Sequence, residues 1–165
     1  MLQISLEMEK CIGCRLCEVM CSLSHENAIM PSRSRIEVVT INPSIDLPVY
    51  CYQCTDAPCA EVCPVNAIKR NEDGVMVIDY EICINCRACT KACPFGCTGI
   101  NSEGKVFKCD MCEGDPECVK ICPTHALKFE QPESMTYKKK SKFAQKFLET
   151  SSQSWWNLWI SKLFI

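Results

Sequence analysis

The chain has 165 residues, 17 of them cysteine, and a formal net charge of −2 from 18 lysines and arginines against 20 aspartates and glutamates. That length holds one ordinary domain or two small ones sharing a core, and the near-balanced charge gives nucleic-acid binding no support. MLQISLEMEK at the start has no basic region followed by an apolar run, and no stretch approaches a membrane-spanning length; the expected setting is a reducing cytosol, where cysteines at this density bind metal.

The first cysteine group is CIGCRLCEVMC, with Cys11, Cys14, Cys17 and Cys21 in the pattern C-x2-C-x2-C-x3-C. In residues 24–50, Ile36, Val38 and Ile41 flank a β-branched run, and Leu47 to Tyr50 form a second extended piece. Two short strands are predicted there, covering one face of the bound group. The second group is Cys51, Cys54, Cys59 and Cys63, with a longer middle gap. The linker PVNAIKRNEDGVMVIDYEI then has room for a helical turn and a β-hairpin, with Asp73-Gly74 as the hairpin turn. The third group, Cys83, Cys86, Cys89 and Cys93, repeats the spacing of the first, and the fourth is Cys109, Cys112, Cys118 and Cys122. Cys97 is left over; it reads as a free buried thiol or, against that, as a substitute ligand or redox-active thiol.

Every group ends on an interval of three residues, and three of them are followed by proline: Pro64, Pro94 and Pro123, against Ser22 in the first. A proline there has φ already set and no N–H, which predicts the start of a helix leaving the site. Three closely spaced thiolates wrap one face of an iron–sulfur cube, and the remote fourth cysteine ligates the neighbouring cube, as in bacterial two-cluster ferredoxins. Structural zinc calls for two C-x2-C pairs across a longer loop and fits poorly; disulfides fit worse, because the triplets crowd too many sulfurs together. Four [4Fe–4S] clusters are the expectation.

Chain order predicts the pairing. Groups two and three make an inner module, residues 51–93, in which site B takes Cys51, Cys54, Cys59 and Cys93, and site C takes Cys83, Cys86, Cys89 and Cys63. Groups one and four close around it: site A takes Cys11, Cys14, Cys17 and Cys122, and site D takes Cys109, Cys112, Cys118 and Cys21. The two chain ends are thereby expected to meet. Cluster binding is expected to be coupled to folding.

The segments CIGCRLCEVMCSLSHE, SRSRIEVV, CYQCTDAPCAEVCPVNAI, CINCRACTKACPFG and CDMCEGDPECVKICPTHAL resemble the four-cluster ferredoxin-like electron-transfer subunits of multi-subunit oxidoreductases, over residues 4–130. The opening looks most like the small subunits of tungsten aldehyde oxidoreductase-type enzymes, their benzoyl-CoA reductase relatives, or carbon monoxide dehydrogenase. The resemblance implies crossed ligation, four low-potential clusters in a chain and no substrate chemistry of the subunit's own. The fold class expected is α+β: two pseudo-symmetric dicluster modules, one nested in the other, with short hairpins and helices. The expected domain covers residues 1–135 (outer module 4–22 with 105–130, insert 24–50), and a basic, aromatic helical tail covers 136–165.

Arg33, Arg35, Lys69 and Arg70 read as ordinary solvated surface, or else as counter-charges to the clusters. His25 and His125 read as local hydrogen-bonding residues, and Tyr50, Tyr52 and Tyr80 as shields against water. In the tail, Trp155, Trp156, Trp159, Ile160, Leu163 and Phe164 recur at helical spacing behind a run of lysines. Three uses compete for it: packing on its own domain, docking in a groove of a partner subunit, or peripheral contact of 138–165 with the inner membrane. Docking to a protein partner is preferred. There is no nucleophile constellation, dinucleotide fingerprint or P-loop. The expected function is a non-catalytic electron relay to or from a catalytic subunit, a tungsten or molybdenum pterin enzyme in the first instance, with an electron donor or acceptor protein at the other end. The alternative is a free polyferredoxin shuttling between enzymes such as carbon monoxide dehydrogenase and hydrogenase.

Overall fold

A computed structural model describes residues 2–42, 45–101, 103–131, 137, 140 and 141. By compactness the chain divides into Met1–Phe129 and Glu130–Ile165. The tail residues from Trp155 to Phe164 singled out above lie outside the described residues. No helix among the described residues is long and apolar enough to cross a membrane.

The first unit is built from four small two-stranded sheets and four helices, three of them single turns. Strand β1 (Gln3–Leu6) pairs with β8 (Leu127–Glu130), joining the two ends of the cysteine-bearing region. Between them run α1 (Leu16–Glu26), the hairpin β2 (Ile36–Asn42) and β3 (Ile45–Tyr50), and α2 (Pro58–Glu61). Next come the hairpin β4 (Ile68–Arg70) and β5 (Met76–Ile78), α3 (Ala88–Ala92), the hairpin β6 (Thr98–Ile100) and β7 (Val106–Lys108), and α4 (Glu117–Lys120). The three hairpins are antiparallel. Helix α1 packs on α4 and α2 on α3, so each module has its own helix pair and one module is nested inside the other.

The two strands expected in 24–50 form and pair with each other, Ile36 opposite Tyr50, with a register shift between Thr40 and Asn42. Their inward residues Ile36, Val38 and Tyr50 join Ile4, Leu127 and the sulfurs of Cys17, Cys21 and Cys118 in one buried cluster. The inner module has a second, built on Ile68, Met76, Ile78 and Val106 around Cys89. A third, of Val75, Cys109 and Met111 with Cys51 against it, lies where the modules meet. Sulfur is part of every core, which suits a chain whose apolar supply without cysteine is modest.

The prolines behave otherwise than expected. Pro64, Pro94 and Pro123 do not start helices; each opens a turn that leads into a strand. The helix precedes the proline and has stopped by the fourth cysteine, capped at Val62, Cys93 and Ile121, because a residue before proline is pushed out of the helical region; Cys93 has ψ 114. In each turn the residue three past the cysteine donates its N–H to the cysteine carbonyl and sits at positive φ: Asn66 (52), Gly96 (68) and His125 (51). Where Ser22 replaces proline, α1 continues to Glu26. Ser22 is fully buried, donates its hydroxyl to Val19 O at 2.9 Å and accepts Met30 N–H at 3.1 Å. Asn27, at φ 52, closes that helix.

Candidate metal centres

The third cysteine of every group is the second residue of a helix: Cys17 in α1, Cys59 in α2, Cys89 in α3 and Cys118 in α4. Backbone N–H groups at that position have no partner inside the helix and are free for a ligand. The fourth cysteine follows four positions later, about 6 Å along the axis. The first two cysteines sit on a loop whose second intervening residue is left-handed in all four groups: Gly13 (φ 64), Gln53 (52), Asn85 (52) and Met111 (58). Arg15, Arg87, Cys112 and Glu113 are left-handed as well. Each non-glycine residue held there costs about 1–2 kcal/mol, and such alternation turns successive N–H groups into an anion-binding concavity. A side chain on Gly13 would run into the Asp46 carboxylate, which would have to swing aside.

Three cavities collect the sulfurs. One is lined by Cys51, Cys54, Cys59 and Cys93, with Cys97 and Lys108 also on its wall. Another is lined by Cys11, Cys14, Cys17 and Cys122, and a third by Cys63, Cys83, Cys86 and Cys89. The remaining four also lie together: the charges of Cys109, Cys21 and Cys112 all act on Cys118. The four groups of sulfur form a row. Cys17 of the second cavity reaches Cys118, Cys51 reaches Cys109, and Cys59 reaches Cys89. The order is A, D, B, C, with exposed cysteines, Cys14 and Cys86, at the two ends.

The donor set suits a metal cluster. All seventeen cysteines are free. Burial pushes the Cys17 thiol up to about 12 and does the same to Cys109, with Cys59, Cys89 and Cys118 also raised. Crowded, desolvated thiols of this kind ionise when iron supplies the opposing charge. The fourth cysteines behave differently. Burial again works against ionisation, but backbone N–H groups from the turn behind each sulfur outweigh it and lower Cys63 and Cys122. Ala67 N lies 3.2 Å from Cys63 Sγ. At Cys21 burial is overcome by His25 and by the Arg35 N–H, 3.2 Å from the sulfur.

His25 stands between two sulfurs of site D, with Nδ1 3.9 Å from Cys21 Sγ and Nε2 4.0 Å from Cys112 Sγ. Nε2 also lies 3.1 Å from Asp110 Oδ1, whose other oxygen accepts from Arg35 at 2.5 Å. Asp110, then Cys112 and Cys21, hold the imidazole well above its ordinary value. Burial would raise Asp110, but His25 and Arg35 hold it below the usual carboxylate range. Arg35 and Arg33 are therefore not solvated surface. Arg35 is tied to Asp110, Arg33 pairs with Glu26 at 2.9 Å, and their side chains are only 13% and 19% exposed. Lys69 pairs with Asp79 at the surface, and Arg70 donates to the carbonyls of Gln53, Cys54 and Gly74. Tyr50 is buried and donates to Ile4 O; Tyr52 and Tyr80 are about half exposed, and Tyr52 lines the cavity of Cys51, Cys54, Cys59 and Cys93 between Tyr50 and Phe95.

Cys97 occupies the place held in the other proline turns by the buried Ala67 and Ala126. Its thiol, pushed up to about 12 by burial, donates to Tyr50 O at 3.1 Å and lines the cavity of Cys51, Cys54, Cys59 and Cys93. Gln53, Glu18 and Lys108 carry no signal in the sequence. Gln53 and Lys108 are buried beside site B, and Glu18 accepts Val38 N–H at 2.5 Å next to Cys17. Nor was the β6–β7 hairpin anticipated. The signal was there: Asn71 and Gly74, then Asn101 and Gly104, make the same turn, each asparagine side chain accepting the N–H four residues on.

Four sets of sulfur on left-handed loops, in a small α+β unit closed by the pairing of β1 with β8, define an iron–sulfur protein of the ferredoxin type. The chain belongs to the 4Fe-4S dicluster domain family, matched over residues 44–132 and, by a second dicluster pattern, over 10–67. Two such domains carry four [4Fe–4S] clusters and move electrons without substrate chemistry of their own. The chain is 48% identical over 121 residues to the aliphatic sulfonate oxidoreductase, polyferredoxin-like subunit, of Pyrococcus furiosus, covering 72% of this chain and 70% of that one. It is 39% identical over 150 residues to the electron transport protein HydN of Escherichia coli, covering 75% and 85%. A chain of the active-site complex BamBC of benzoyl coenzyme A reductase is 29% identical, covering 87% of this chain and 89% of that one, with a TM-score of 0.47.

Proposed function

We propose that the chain passes single electrons along four clusters in the order A, D, B, C, between the exposed ends at Cys14 and Cys86. Site A is held by Cys11, Cys14, Cys17 and Cys122, site B by Cys51, Cys54, Cys59 and Cys93, site C by Cys83, Cys86, Cys89 and Cys63, and site D by Cys109, Cys112, Cys118 and Cys21. The observation that supports this is the row of four cysteine sets, each with three sulfurs from one group and one from another. When bound, each cube stores one electron between a 2+ and a 1+ core at low potential. The protein's own work is to exclude water with third cysteines that are buried at Cys17, Cys89 and Cys118 and with apolar walls, and to aim backbone N–H groups at sulfur.

The names of the relatives, a polyferredoxin-like subunit and an electron transport protein, favour a carrier that exchanges electrons with oxidoreductases over a component dedicated to one of them. A permanent place beside a tungsten or molybdenum pterin enzyme is the second reading; it rests on the resemblance carried by residues 4–130. The test is anaerobic purification with iron and sulfide analysis, followed by a reductive titration under electron paramagnetic resonance. About sixteen irons per chain and reversible one-electron signals are expected; zinc in their place, or far less iron, overturns the proposal. Tungsten, molybdenum or nickel co-purifying in fixed ratio selects the second reading and its enzyme class.

A further inference from the structure

Lys108 is 3% exposed, at the end of β7, and no carboxylate among the described residues pairs with it. Its Nζ donates to two main-chain carbonyls, Met76 O and, at 3.1 Å, Cys109 O. It lines the cavity of Cys51, Cys54, Cys59 and Cys93 and acts on the Cys59 sulfur by charge. Lysine is almost never buried without a partner. The cation next to the module-partner cavity, Arg87, is solvent-exposed, so water screens it. The two sites of the inner module thus differ: one has a desolvated ammonium on its wall, and the other has only apolar side chains and a screened guanidinium.

We propose that Lys108 is a positioning residue for the electron: its ammonium makes site B easier to reduce than site C, so that an electron held by the inner module rests at B. The inference rests on the four-cluster reading above. A cube with four thiolates goes from about −2 to about −3 when it accepts one electron from a low-potential donor. A fixed positive charge in the same dry cavity favours the more negative form, because attraction there is little screened. The carbonyl contacts alone would make Lys108 a staple between β5 and the loop after β7. The two roles separate by substitution, since Lys108→Gln keeps a donor for a carbonyl and loses the charge, while Lys108→Met loses both.

The experiment is a dithionite redox titration of the full-length, iron-loaded protein under electron paramagnetic resonance, for the parent and for both variants. Cys54→Ser and Cys86→Ser mark the signals of sites B and C. In the parent, the first of the two signals to appear is expected to be the one altered by Cys54→Ser. In both Lys108 variants the reduction constant of that site is expected to fall at least tenfold, about 59 mV for one electron, with site C unmoved. Unchanged potentials in Lys108→Gln, or equal shifts at both sites, overturn the inference. If the Lys108 variants lose iron, the parent decides: a first signal altered by Cys86→Ser and not by Cys54→Ser overturns it. Iron far below sixteen in the parent removes the four-cluster reading itself; full iron with the first electron at C removes this inference alone.

Discussion

Gln53 stands between Cys51 and Cys54 and ties the two modules together with one side chain. It is 1% exposed; its amide donates to Cys109 O at 3.0 Å, and its carbonyl oxygen accepts Met76 N–H at 2.9 Å. Gln53→Ala would strand the buried Met76 N–H, at about 1–3 kcal/mol, and would leave Cys109 O to Lys108 alone. The expected result is earlier loss of the visible iron–sulfur absorbance in a denaturant series, and from site D as well as site B, because Cys109 belongs to the other module. Nothing in the sequence marks this glutamine, since C-x2-C loops accept almost any residue at that place and its partners lie 23 and 56 positions away. Lys108 was hidden for the same reason: a lysine before a cysteine reads as surface until the fold buries it.

At the scale of elements, the pairing of β1 with β8 closes the outer module, and one carboxylate secures it. Glu7 follows β1, donates its backbone N–H to Ala126 O at 2.8 Å, and pairs with Lys10 at 2.7 Å and with Lys128. Lys10 first, then Lys128, hold its pKa down to about 2 from an ordinary 4.5. Because the folded value is depressed, this contribution is fully present above pH 4.5 and is lost as pH falls through about 2. Solvent screens the pair, so the effect is modest. Glu7→Gln is expected to shed its clusters somewhat faster than the parent near neutral pH, with the difference narrowing below pH 4.5; stopped-flow absorbance against pH measures it. Gly99 faces Phe107 across the β6–β7 hairpin, and a side chain there would collide with the ring. A larger residue at 99 would have to push the Phe107 ring aside, a constraint that appears only once the cross-strand partner is known.

For the whole molecule, the question is whether it is a dedicated component or a travelling carrier. The tail, with its lysines and three tryptophans, is the part to remove. Deleting residues 142–165 leaves every cluster cysteine in place, so iron content is expected to stay at the parent level. A travelling carrier keeps its rate of electron delivery to an oxidoreductase after the deletion; a docked component loses co-purification with its enzyme. Size-exclusion chromatography with a reduction assay on the truncated protein reads both.

By itself the sequence determined that four cysteine groups hold four cubic clusters and that the chain has no substrate chemistry, because ligand spacing within a loop is a local property. It also placed two strands within residues 24–50 and the β4–β5 hairpin, because alternation and a turn dipeptide are local too. It misjudged the prolines, since a helix ahead of Cys-Pro and one behind it leave the same residues in the pattern. Only the tertiary structure decided the row of sites, the ammonium beside one of them, and the histidine and aspartate between Cys21 and Cys112. Those contacts join residues far apart in the chain, and burial, which sets their electrostatic weight, exists only after the modules close on each other.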